Sequence, residues 1–386
     1  LDVVERLFIL LPEKDSADAI GRFLLEQIQR LIDTDESSLT AEMRKIARAL
    51  WNTHGAGFSY AEDIQPLSSA LYLNSWPGFL AQYWGYEIDR RWRYTREQWD
   101  GLNTEESEAL VALLHGNDSA LDATQPAIAG QLYFYYSADA VFATKYLLPI
   151  FGDSRRHPFA WSPYLYHPGW NDAILAAGLY DGMLSELTRL HELPDERERD
   201  VFLKLIVAVV SFAGIDSSDR RRLLNETVCA SDGAYAVEFG DAVNRILRAE
   251  GVSGEEVWRR WLRAHVERRL NGLPRIASKE ECERWADVVP TVGKYVPDAV
   301  ATFSGRGIGL GRFVWEPQSS EGVLSDYGGE LVDFFAERVR NTVDPGVRVR
   351  LRVTSLIKTL QSSLGHEAVE PLVSAAVERG FPVPRE

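Results

Sequence analysis

The chain has 386 residues, 45% hydrophobic and 26% charged, proportions that suit a folded protein with a sizeable core. Fifty-seven acids against 42 bases leave a net charge of −15, which repels nucleic-acid backbones at long range and argues against general DNA or RNA binding. Two cysteines, Cys229 and Cys282, rule out a disulfide scaffold and suit a cytoplasmic protein, and the longest apolar run, 201–214, carries Lys204 and is too short to span a bilayer.

Apolar residues recur at helical spacing almost throughout. Residues 1–11 read as a helix end stopped by Pro12. Helices follow at 17–32 and 40–51, separated by a polar loop over 33–38. Within 64–84, Pro77 fits a first helical turn with Ser75 or Asn74 as cap. Further helical segments are predicted at 89–99, 104–114, 128–136 and 137–146. Residues 151–170 lack periodicity, and Pro158, Pro163 and Pro168 punctuate them, so a long loop is expected there. Helices resume at 171–190, 195–212, 217–228 and 233–249. Beyond 290 come helices at 292–303, 328–340, 347–364 and 367–379, with a glycine-rich loop over 304–311 and a short extended piece at Phe313–Trp315.

The most specific stretch is 253–287. Ser253 with Glu256, and Ser278 with Glu281, have the spacing of two capping boxes. Val257, Trp258, Trp261, Leu262, His265, Val266 and Leu270 form one apolar face, while Arg259, Arg260, Arg263, Arg268 and Arg269 fill the remaining positions. Gly272 and Pro274 stop the helix. Cys282, Trp285, Ala286 and Val289 face inward from the next one.

About fifteen short helices with no strand–helix alternation predict an all-α fold, an α-solenoid-like array or irregular helical repeat with little or no β-sheet. Two regions are expected, 1–250 and 251–386, packed continuously. The chain begins with Leu rather than Met, so it is expected to be a fragment of a longer protein.

No chemical signature survives scrutiny. The glycines at 305–311 match neither the dinucleotide nor the P-loop pattern, and a surface loop is expected. His157 and His167 lack further ligands at metal spacing, so no metal or other cofactor is expected. No nucleophile elbow occurs, and neither cysteine has a neighbouring histidine. The arginines of 259–269 are the best candidate surface, suited to a phosphate or an acidic partner, with pairing to local acids such as Glu255 to Arg259 as the plain alternative.

The pattern of Trp258 or Trp261, Arg269, Leu270, Gly272, Pro274 and Trp285 resembles an uncharacterised bacterial C-terminal helical family. That family follows sirtuin-like NAD-hydrolysing domains in antiphage defence proteins. The start at Asn74 to Gly78 and the Gly169-Trp170 element are similar to regions lying upstream in such proteins. The resemblance brings no catalytic residues, and Gly55-Ala56-Gly57 lacks the context of a sirtuin-like signature. It implies a non-catalytic scaffold or sensor that binds a protein partner, a phage component or its own N-terminal effector domain, and regulates that effector. Expected partner-binding residues are Trp258, Arg260, Trp261, Arg263 and Trp285, with His157, Trp161 and His167 as a second group. The alternatives are an all-α enzyme with its site in the 157–170 loop and a structural oligomerisation module.

Overall fold

A computed structural model describes residues 16–33, 37–60, 69–193, 195–311, 321–343 and 346–383. The helix expected at 1–11 and the piece Phe313–Trp315 lie outside these residues. Among the described residues every regular element is helical and none is a strand. The fold is all-α, as the periodicity requires. The chain divides into two compact units, the first ending at Glu198 and the second beginning at Arg199.

In the first unit, α1 (Ala17–Leu31), α2 (Ser37–His54), α3 (Ser69–Asn74), α4 (Trp76–Thr95), α5 (Thr104–Leu113), α6 (Asp118–Ala129) and α7 (Leu132–Ala138) follow in order. Helix α8 spans 140–152, α9 is His157–Tyr164 and α10 spans 172–187; α8 and α10 each contain a π-turn. Packing partners are often distant in sequence, α1 against α4 and α6 against α3, α4 and α9, so the array is irregular rather than strictly periodic. The Trp76 ring meets Trp51 and Phe58 edge-on, with centroids 5.9 and 5.7 Å away. Its backbone N–H donates to Asp18 Oδ1 at 2.8 Å, so a side chain of α1 supplies the cap expected from Ser75.

About half of the loop expected at 151–170 is helix, at 151–152 and 157–164. Pro158 occupies the first turn of α9, where no backbone N–H is needed, and Pro163 falls near its end. Prolines read as breakers here mark a short helix instead.

The second unit holds most of α11 (Glu196–Phe212), then α12 (Ser217–Gly233), α13 (Ala236–Leu247), α14 (254–270), α15 (Lys279–Ala286), α16 (Val296–Phe303), α17 (Glu321–Asn341), α18 (Val347–Leu364) and α19 (His366–Glu378). Helix α13 packs on α15, so packing is continuous across residue 250, and α17 and α18 both pack on α19. Helix α12 loses helical geometry at Ala230, Ser231 and Asp232, the last two with φ of 47° and 56°.

The segment 253–287 is the expected helix, stop and helix. Gly254 opens α14 where a Cβ would stand 1.9 Å from the Thr291 carbonyl oxygen, so only glycine allows this approach. Gly272, at φ 77°, ends the helix in the left-handed region. Ser253 and Ser278 accept from the backbone N–H groups of Glu256 and Glu281, as predicted. The Glu281 carboxylate does not complete its capping box, because Arg269 claims both of its oxygens.

The glycine run 305–311 is not an open loop throughout. Ile308 and Leu310 are buried, the Leu310 N–H donates to Thr342 Oγ1, and Arg338 donates to the Gly309 carbonyl. The Gly305 N–H likewise donates to Glu337, so side chains hold both ends of the run.

Candidate functional site

Five of the expected partner-binding residues are interior. Trp161, Trp258, Trp261 and Trp285 are buried, and each indole N–H is satisfied within its own unit. Trp161 donates to the Phe151 carbonyl, Trp258 to Asp298, Trp261 to Ser211 Oγ and Trp285 to Glu281. A tryptophan whose ring and polar edge are both used inside the fold cannot anchor a partner, so these expectations are corrected: their spacing reports core packing.

His157 is likewise buried, only 1% exposed, with Nδ1 2.7 Å from Glu186 and Nε2 3.0 Å from Glu192. Burial opposes its charged form, but hydrogen bonding and the charge of Glu186, aided by Glu192, raise its pKa above the ordinary histidine value. His157, at the start of α9, is thus held between the carboxylates of Glu186 and Glu192. His167 and Tyr166 are exposed and do not join it. Among the described residues no group of three or more His, Cys, Asp or Glu is placed to hold a metal ion. Both cysteines are free, and burial raises the Cys282 thiol above its usual range, which makes it a poor nucleophile.

The arginine stripe divides into three environments. Arg263 is exposed and paired with Glu267 and Asp298, both at 3.0 Å. Glu255 pairs with Lys294 at 3.1 Å rather than with Arg259. Arg269 is not on the surface at all: it is buried with Glu281, and its remaining donors reach the carbonyls of Leu273 and Arg275. Spacing already pointed to this, since Trp258, Trp261, Leu262, His265, Val266 and Arg269 share one helical face. The charge of Arg269 masked it.

Arg259 is exposed, and Arg260 and Arg268 line a cleft of about 140 Å³. Helix α14 contributes Arg260, Trp261, Ala264, His265 and Arg268, while α12 contributes Ser217, Arg220, Arg221, Leu224 and Asn225. Both sets recur every three to four residues, so the cleft is the seam between two helix faces. A π-turn over Trp258–Leu262 sets the register of the α14 side. The α12 contribution escaped the sequence reading because Arg220-Arg221-Arg222 looks like an ordinary solvated helix start.

Among the described residues no carboxylate lies within ion-pair distance of Arg220, Arg221, Arg260 or Arg268. Arg220 donates instead to the carbonyls of Val210 and Ile215, and Arg260 to that of Ala213, at the negative end of α11. The neighbouring carboxylate of Asp216 is occupied by the Ser218 and Asp219 N–H groups. Burial, and then the charge of Arg260, lower the pKa of Arg220, a sign of like charges drawn together.

His265 forms the inner wall. It is 5% exposed, and its Nε2 is buried without a hydrogen-bond partner. Burial, with the charges of Arg269 and Arg268, lowers its pKa to about 3, so the ring is neutral at physiological pH.

No family model, curated protein or solved structure matches the chain. Among the described residues no helix is long and apolar enough to cross a membrane.

Proposed function

We propose that this chain is a non-catalytic helical scaffold and sensor of a bacterial antiphage defence protein. Its arginine-lined cleft takes up an anionic group from a trigger or partner, and occupancy of the cleft regulates an effector domain preceding it. The carrying observation is the cleft itself. In a chain of net charge −15, four guanidinium groups line one small hollow with no carboxylate in ion-pair contact among the described residues. Concentrated, unneutralised positive charge with free donors is a recognition surface for anions.

Of the groups that an all-α enzyme at 157–170 would use, His157 is bonded to two glutamates, Trp161 to Phe151 and Tyr164 to Gly169, while Tyr166 and His167 are exposed and apart from them. The defence context and the effector domain come from the family resemblance.

The test is an assay of NAD hydrolysis by this chain alone and by a longer form carrying the preceding domain, with and without Arg260→Glu. Activity in the longer form only, altered by Arg260→Glu, supports the proposal. Turnover by the chain alone overturns it.

A further inference from the structure

The reading that the cleft takes an anion leaves the anion's chemistry open, and the geometry of the cleft narrows it. This step rests on the sensor proposal above. We infer that the cleft between α12 and α14 is a binding site for the phosphoryl group of a small phosphate ester, with Arg221, Arg260 and Arg268 as its principal donors.

Three observations favour phosphoryl over carboxylate. The first is charge. A monocarboxylate brings one negative charge and one face of acceptors. A phosphate monoester brings close to two charges and three acceptor oxygens, and so satisfies donors arriving from two helices at once. Arg221 and Arg260 lie on different helices, and Arg268 lies two turns along α14 from Arg260, so donors approach from several directions.

The second is the unpartnered wall. Among the described residues Nε2 of His265 is buried with no partner, and leaving such an atom unsatisfied is unfavourable. His265 lines the cleft as a neutral ring and sets no further charge beside the arginines. Ser217 and Asn225 add neutral polar groups on the opposite helix.

The third is the apolar part of the lining. Leu224 and Ala264 share the cleft with the arginines. That surface suits the organic portion of an ester and offers nothing to a second charge. The larger hollow of about 450 Å³ near Arg248 and Arg352 lacks this character, since Asp241 and Asp287 line it beside the arginines.

Isothermal titration of the whole chain at low ionic strength tests the assignment, using inorganic phosphate, AMP, acetate and succinate as probes. Saturable one-to-one binding of phosphate or AMP, weakened about tenfold or more by Arg268→Gln and by Arg221→Gln, is the expected result. Both arginines are solvent-accessible and make no backbone bonds, and circular dichroism checks that each variant stays folded. AMP binding more tightly than phosphate identifies an ester as the source, and equal binding identifies free phosphate; either supports a phosphoryl site. Succinate binding where phosphate does not overturns the phosphoryl assignment and leaves the sensor proposal standing. Absence of binding by every anion overturns both. Binding unchanged in both variants also overturns the assignment, because the phosphate then sits elsewhere.

Discussion

The guanidinium of Arg269 forks both carboxylate oxygens of Glu281, at 2.6 and 2.7 Å, with neither side chain exposed. The same carboxylate accepts from the Trp285 indole at 3.2 Å, and the backbone N–H of Glu281 is capped by Ser278. One buried charge pair therefore ties the end of α14 to the start of α15 and fixes how the two helices meet. Replacing one partner strands the other in a dry interior, so Arg269→Met should cost about 3–5 kcal/mol. The double change Arg269→Met with Glu281→Leu should recover much of that loss. Urea unfolding of both variants measures it, and a single change as mild as the double one would show that the pair is not isolated from water.

His265 should make the protein acid-sensitive. Its folded pKa, near 3, lies below the unfolded value of about 6.5, so the unfolded state binds the proton first. The stability from keeping the ring neutral is complete above pH 6.5 and is lost as pH falls toward 3, by about 1.4 kcal/mol per pH unit at most. His265→Phe keeps an aromatic ring against Trp261, Phe239 and Trp285 and removes the titration. Denaturant midpoints between pH 7 and 4 should fall less steeply in this variant than in the parent, and parallel slopes would contradict the prediction.

His157 should act in the opposite direction. Its pKa is raised on folding, so its contribution is complete below the unfolded value of about 6.5 and disappears as pH rises through the higher folded value. His157→Gln should lower stability most at mildly acidic pH, with the difference from the parent narrowing toward pH 9. A difference that stays constant with pH would mean that the Glu186–His157–Glu192 contact carries no proton linkage.

The exposed arginines should separate from the tryptophans beneath them. Arg263→Glu breaks two surface pairs, a change of about 1 kcal/mol or less. Trp258→Ala or Trp285→Ala removes a fully buried ring and should cost about 3–5 kcal/mol. Thermal melts of the three variants check the contrast. An Arg263→Glu protein as unstable as the tryptophan variants would place that side chain in the core.

The sequence by itself determined the helices. Apolar spacing at three and four residues, serine caps at 253 and 278 and the Gly272–Pro274 stop are local facts, because each depends only on backbone hydrogen bonding within a turn or two. It also determined that Trp258, Trp261 and Trp285 share inward faces. Tertiary structure decided what the charged residues do. Spacing puts Arg269 on the inward face and Arg268 beside it, but only the placement of Glu281 on α15 gives the buried Arg269 its partner, and only α12 turns the surface at Arg268 into a cleft. The prolines at 158 and 163 were ambiguous for a related reason: a proline breaks a helix or starts one according to whether neighbouring elements bury the turn that follows. The cleft itself has no contiguous signature. It exists because two helices, separated by the α13 segment in sequence, bring their arginines to one seam while the acids that would neutralise them are held elsewhere.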